Sequence, residues 1–156
     1  MKAGTCTIRE AQVSDLIAVA QLCKSWEAEE TTRNYRADTA AGLRKRLGEC
    51  FLVAESAGEV IGFVIGEVKA TKGNEFVKGV LDDQPSYLEV QDLYVAQPHR
   101  DGGIGTALAK ELLARAAKRG VRNSLVYSAN RDYRRTGEFY EKLGYEMWHV
   151  HMTRRA

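Results

Sequence analysis

The sequence predicts a mixed α/β (α+β) domain on a mostly antiparallel central sheet flanked by helices, and three observations carry that prediction. Two apolar, β-rich runs, 51–55 and 60–68, are separated by a turn of hairpin length. A third such run, 87–95, leads into a glycine-rich loop that opens a long amphipathic helix. A further strand follows that helix, so one right-handed parallel crossover closes an otherwise antiparallel order.

Each element has its own warrant. Thr5 to Arg9 reads as a short strand. Ser14-Asp15 then caps a helix whose Leu16, Val19, Ala20 and Cys23 recur at helical spacing. A second helical segment runs from about Asp38 to Leu47, with Leu43 and Leu47 on one face. Ser56-Ala57-Gly58-Glu59 makes the hairpin turn between the first two apolar runs. Lys69 to Ser86 is a polar connection. Tyr87 to Val95 alternates as a strand does and stops before Pro98, which has no N–H for a ladder. The long helix repeats Ile104, Leu108, Leu112 and Ala116 every fourth residue and stops at Gly120. Asn123 to Ser128 is the next strand, Asp132 to Leu143 a helix closed by Gly144, and Tyr145 to Met152 a last strand.

At 156 residues the chain is the size of one domain, long enough to bury its own core, so 1–156 is expected to be a single unit. With 44% hydrophobic and 28% charged residues it is an ordinary globular composition, which excludes fibrous and disordered classes. A net charge of +2 gives no bulk attraction for nucleic acid, so any anion site must be local. The longest apolar stretch, Val60 to Ile65, is far short of the ~20 residues a membrane span needs. The amino terminus, with Arg9 and Glu10 where a signal peptide has its apolar core, points to a cytoplasmic protein. Cys6, Cys23 and Cys50 form no CxxC pair, which suits reduced thiols better than a disulfide framework or zinc site.

The chemistry concentrates at Arg100-Asp101-Gly102-Gly103-Ile104-Gly105-Thr106. A strand that turns through three glycines and starts a helix leaves backbone N–H groups unpaired at the positive end of the helix dipole. That arrangement binds phosphate or diphosphate, with Thr106 as a further donor and Arg100 as a mobile charge. Two nucleotide motifs are excluded: Leu108 stands where the dinucleotide fingerprint needs glycine, and Gly105-Thr106-Ala107 is not Gly-Lys-Ser/Thr. Gly102-Gly103-Ile104-Gly105 also satisfies the four-letter loop of the KH RNA-binding module, which has helices on both sides.

The run from Leu93 through the loop to Leu108 resembles the strand, Arg/Gln-x-x-Gly-x-Gly/Ala loop and helix of the Gcn5-related N-acetyltransferases. Phe139-Tyr140-Glu141-Lys142-Leu143-Gly144-Tyr145 resembles their C-terminal signature, and Ile8-Arg9-Glu10-Ala11 with Ser14-Asp15-Leu16 their opening. The resemblance implies the acyl-CoA N-acyltransferase fold and transfer of an acetyl group from acetyl-coenzyme A to a primary amine in a ternary complex. It implies that Leu93, Tyr94 and Val95 meet the acetyl-pantetheine end. Arg100, Asp101, Gly102, Gly103, Ile104, Gly105 and Thr106 would hold the diphosphate, and Asn130 would lie along the cofactor. Gly102 stands where the family often has a basic residue, which shifts the load to backbone amides.

The same resemblance makes the Val95 N–H an oxyanion donor and Tyr140 the general acid, with Tyr133 as the spare candidate. A phenol of pKa ~10 suits a thiolate leaving group. Gln91 stands where some members carry a basic glutamate. Glu89, two residues earlier on the same strand face, is the alternative base acting through a water, whereas Asp92 is expected to point the other way. Glu27, Glu29 and Glu30 lie where the family lines its acceptor side, which favours a cationic amine such as a polyamine, an aminoglycoside or a protein amine; Asp82 and Asp83 invite the same reading. Other readings of the chain are transfer of another acyl group, a catalytically idle coenzyme A-binding regulator, and the RNA-binding module. His149 and His151 share a strand face but have no third ligand nearby, so no metal is expected. Arg115, Lys118 and Arg119 complement the dipole of the long helix. Expected partners are acetyl-coenzyme A and an amine, with no nucleic acid or membrane; by family analogy, 145–152 is a homodimer interface.

Overall fold

The computed structural model describes residues 6–155, so the expected strand start at Thr5 lies outside the described residues. Five strands, β1 (Thr7–Glu10), β2 (Phe51–Ser56), β3 (Glu59–Ala70), β4 (Ser86–Val95) and β5 (Asn123–Val126), form one sheet in sequence order. β1 to β4 pair antiparallel, and β4 pairs parallel with β5. The helices are α1 (Leu16–Ala28), α2 (Ala40–Arg44), α3 (Ile104–Lys118) and α4 (Tyr133–Glu141).

Alternation along the strands, interrupted by a bulge at Ile61 where β3 pairs with β2, divides them between two cores. Phe51, Val53, Phe63, Ile65 and Tyr94 face α1 and α2, where they meet Leu16, Val19, Cys23 and Leu43. Leu52, Ala54, Ile61, Val64, Leu88 and Val90 face α3 and pack on its every-fourth-residue stripe of Leu108, Leu112 and Ala116. The polar connection 71–85 is more than a loop. Its Val77 is fully buried with Tyr87 and Leu125, and Asn74 donates a hydrogen bond to the Tyr87 hydroxyl at 2.9 Å.

The chain enters α1 through an ionic clasp. Asp15 accepts from the Gln12 backbone N–H at 2.7 Å and from both terminal nitrogens of Arg9, which also reaches Glu55 on β2. The Arg9 guanidinium holds the Asp15 carboxyl below the usual carboxylate range, against the opposing effect of burial.

Two departures from the sequence expectation matter for the site. The β3–β4 register slips between Ile65↔Asp92 and Gly66↔Val90, which leaves Gln91 as the extra residue of a β-bulge. Glu89, opposite Glu67, and Asp92, opposite Ile65, therefore share the α1 face, and the expectation that Asp92 points away is corrected. The second correction concerns 145–152, which is not a strand: 142–155 contains no regular element. A strand needs a neighbouring edge for its hydrogen bonds, and β5 is paired over only four residues, all of them to β4.

Candidate active site

The site grows from the two edges of β4. The Ala96 N–H donates to the Ile61 carbonyl at 2.9 Å, and antiparallel ladders alternate, so Tyr94 spends its backbone groups on Phe63 while Leu93 and Val95 point theirs away from β3. On that far side β5 pairs with β4 only from Tyr87 to Val90. β5 ends at Val126, and the edge at Leu93 and Val95 has no partner strand.

That open edge leads directly into the glycine loop. Asp101 and Gly103 both take left-handed backbone angles, φ 65 and 79, which Gly103 adopts without a Cβ penalty and Asp tolerates better than most side chains. Gly103 is the N-cap of α3, and no side chain caps that helix. By contrast, the Asp132 side chain caps α4 by accepting from the Arg135 N–H at 3.1 Å. The first-turn amides of α3, through Thr106, thus remain donors at the positive end of a helix 15 residues long. A KH-type loop has a helix before it; here a strand and the short 3-10 turn Gln97–His99 come first.

α4 covers this corner. The Phe139 ring lies 3.7 Å from where a Cβ on Gly105 would sit. Tyr140 stacks edge-on against Tyr145 with ring centroids 5.2 Å apart, and the Tyr145 hydroxyl is hydrogen-bonded to Ser124 of β5 at 2.6 Å. Burial pushes the Tyr140 hydroxyl above its ordinary pKa, with the charges of Tyr145 and Asp92 adding to the effect. Tyr133, the spare candidate, is exposed at the start of α4 and touched by Arg134.

The α1 side of the bulge is a charged lattice. Glu67 and Glu89 are direct cross-strand partners, a like-charge pairing that costs stability unless offset. Lys69 Nζ offsets it by donating to Glu89 at 2.8 Å, and Gln91 Nε2 donates to Glu67 at 2.7 Å. The Lys69 ammonium is pushed up by the hydrogen bond to Glu89. Arg46 reaches Gln91 Oε1 at 2.9 Å and Asp92 at 2.6 Å. Asp92 and Arg46 escaped the sequence reading because only the bulge turns Asp92 inward.

Arg100 does not hang free. Its Nε donates to the Val95 carbonyl at 2.8 Å and one terminal nitrogen to both Glu29 oxygens at 2.8 Å. The guanidinium lies over the Tyr94 ring, 5.2 Å from the centroid. The Tyr94 hydroxyl donates to Glu29 at 2.6 Å, and burial with that hydrogen bond pushes its pKa up to about 12. Of the acidic trio after α1, Glu29 is thus placed beside the open edge, while Glu27 pairs with Arg36 at 3.7 Å. The segment that follows forms a strap: Arg33 N–H donates to the Ala129 carbonyl, Arg131 N–H to Thr31, and Thr32 bridges to Asn130. The Asn130 side chain accepts from the Asp132 N–H at 2.8 Å. Glu30 gives its carbonyl to Arg131 at 2.9 Å.

Other candidates fall elsewhere. Asp83 accepts from Asn123 at 2.6 Å at the far end of β5. His149 and His151 stack with centroids 4.5 Å apart in the exposed tail, and among the described residues no three potential metal ligands come together. Arg115 and Arg119 bind Glu111 and Glu49. Among the described residues no helix is long and apolar enough to cross a membrane.

Known structures share this architecture. An aminoglycoside acetyltransferase from an uncultured soil metagenomic sample superposes with a TM-score of 0.69 at 20% identity, covering 97% of this chain and 96% of that one. The ribosomal-protein-alanine N-acetyltransferase of Brucella melitensis biovar Abortus 2308 gives 0.67 at 22% identity, covering 97% and 100%. A predicted acetyltransferase from Clostridium acetobutylicum, solved with acetyl-CoA, gives 0.70 at 14% identity, covering 97% and 96%. No curated protein sequence is significantly similar to the chain. The sequence profile of the Acetyltransferase (GNAT) family matches residues 13–145, a span that holds the split β4 edge, the uncapped loop and Tyr140; the chain belongs to that family of acetyltransferases.

Proposed function

We propose that this acetyltransferase moves an acetyl group from acetyl-coenzyme A to a primary amine by direct attack in a ternary complex. The observation that carries the reading is the continuity of the Leu93–Val95 edge, which has no partner strand, with the uncapped N-terminus of α3. An extended amide-bearing arm fits the first, and a diphosphate fits the second. In this assignment Leu93, Tyr94 and Val95 hold the acetyl-pantetheine arm, and the loop from Arg100 to Thr106 holds the diphosphate through its amides. Asn130 flanks the arm through the chain segment it shares with the strap.

The acyl donor supplies an activated thioester carbonyl. The Val95 N–H polarises the carbonyl oxygen, and the Tyr140 hydroxyl, kept protonated by burial, delivers a proton to the departing sulfur. The amine must arrive neutral, which for a lysine-like group of pKa ~10.4 costs roughly 4 kcal/mol near pH 7.4. Glu89 takes that proton through an ordered water, which Gln91 orients. The carboxylates of Glu29, Glu67, Glu89 and Asp92 on the α1 side support a cationic acceptor, whether polyamine, aminoglycoside or protein amine.

The three free thiols support a cytoplasmic setting. Exposed Met147, Trp148, Val150 and Met152 support association of two copies through the tail, which sedimentation of full-length and 1–144 chains tests: a dimer that survives truncation overturns it.

Calorimetric titration with acetyl-coenzyme A tests the main reading. Micromolar binding is expected, lost in folded Gly103→Pro, whose required φ of 79 proline cannot adopt, and weakened in Gly105→Pro. Thiol release on adding amines then identifies the acceptor. Failure of the unmodified protein to bind overturns the assignment.

A further inference from the structure

Besides Arg100 of the phosphate loop, arginines stand at 131, 134 and 135, and of these four Arg135 is the one that pairs with an acid of the loop. Arg100 is clamped between Glu29 and the Val95 carbonyl, with side-chain exposures of 31% and 20% for the ion pair. Arg131 is spent on the Glu30 carbonyl of the strap. Arg134 lies against Tyr133. Arg135 differs: its Nη2 meets Asp101 of the loop at 3.0 Å, and the pair is 69% and 83% exposed. An ion pair that open to water is held weakly and exchanges readily, whereas the Arg100–Glu29 pair is partly buried and its guanidinium is also tied to the Val95 carbonyl.

The loop itself has no cation to offer a diphosphate besides the clamped Arg100. Its second position is the acid Asp101, and 102–106 are uncharged. We infer that Arg135, reaching over from α4, is the cation that binds the donor's diphosphate, and that Asp101 is the anion which holds its place until the donor arrives. This rests on the acyl-coenzyme A reading above and adds to it a residue and an exchange. Asp101 releases Arg135 as the diphosphate enters, so the acid competes with the ligand instead of aiding it. Arg100 becomes a positioning residue that ties the loop to β4 and α1.

Competition gives a sign that a structural ion pair does not. If Asp101 and Arg135 merely braced α4 against the loop, removing either would weaken donor binding. Under exchange, Arg135→Ala weakens binding of acetyl-coenzyme A by about tenfold at moderate salt, whereas Asp101→Asn tightens it. Asparagine tolerates the left-handed angle at 101, so the second variant keeps the turn. Titrations of both variants and of Arg135→Lys, with acetyl-coenzyme A and with its 3′-dephospho form, decide the matter. Equal losses for both ligands in Arg135→Ala, partial recovery with lysine and tighter binding in Asp101→Asn are expected. Unchanged affinity in Arg135→Ala, weakening in both variants, or a loss confined to the 3′-phosphorylated ligand each overturn the inference while the acyl-donor reading stands. An unmodified protein that binds neither ligand overturns both.

Discussion

The two edges of β4 lead different lives. Toward β3 the strand is registered from Ser86 to Val95, with one slip at Gln91; toward β5 it is registered only from Tyr87 to Val90. One seam is filled and closed, and the other opens just where the glycine loop begins. The same ten residues are therefore paired along their whole length on one side and left without a partner strand beyond Val90 on the other. The difference lies in the partners rather than in β4 itself: β3 is long and continuous, and β5 ends after four residues.

Variants at the two seams should separate chemistry from stability. The largest effect is expected at the open seam, where Tyr140→Phe removes the proposed proton donor and should lower kcat by about 100-fold or more. Stopped assays of thiol release should show that loss with KM for acetyl-coenzyme A unchanged, and an unaltered kcat refutes the role. Away from both seams, on β1, Arg9→Ala strands the buried Asp15 carboxylate and should cost about 3 kcal/mol in denaturant unfolding, with turnover per folded molecule preserved. Gly62→Ala links the seams, since the added methyl would sit 2.9 Å from the Tyr94 carbonyl oxygen. Shifting β4 there should cost about 1 to 2 kcal/mol and weaken donor binding, as calorimetry would register.

The smallest effect is a slope. The Tyr94 hydroxyl is pushed up to about 12 by burial and by Glu29, against an unfolded value of ~10. Its proton therefore contributes stability that is complete below about pH 10 and is lost as the pH climbs toward 12. Urea midpoints from pH 9 upward should fall less steeply in Tyr94→Phe.

What was legible in the sequence follows from range. The glycine loop and the α3 stripe are local patterns, and both were readable, as was the strand character of 87–95. The bulge was not, because it is set by how β4 registers against Ile65 and Gly66 and not by the residues at 89–92 alone. The Glu29–Arg100 clamp spans 71 positions, and no periodicity announces it. Tyr145 to Met152 has strand composition without a neighbouring edge to pair with, so propensity misled. The placements of Asp92, Arg46 and Arg135 likewise belong to tertiary structure.

Cys6, Cys23 and Cys50 acquire a meaning from the chemistry proposed around them. Burial pushes all three thiols above their ordinary pKa, and the thiolate is the form that attacks a thioester. In the proposed acyl transfer this disfavours the thiolate at all three positions, so S-acylated enzyme is not expected to accumulate, which mass spectrometry of the protein after incubation with acetyl-coenzyme A would check.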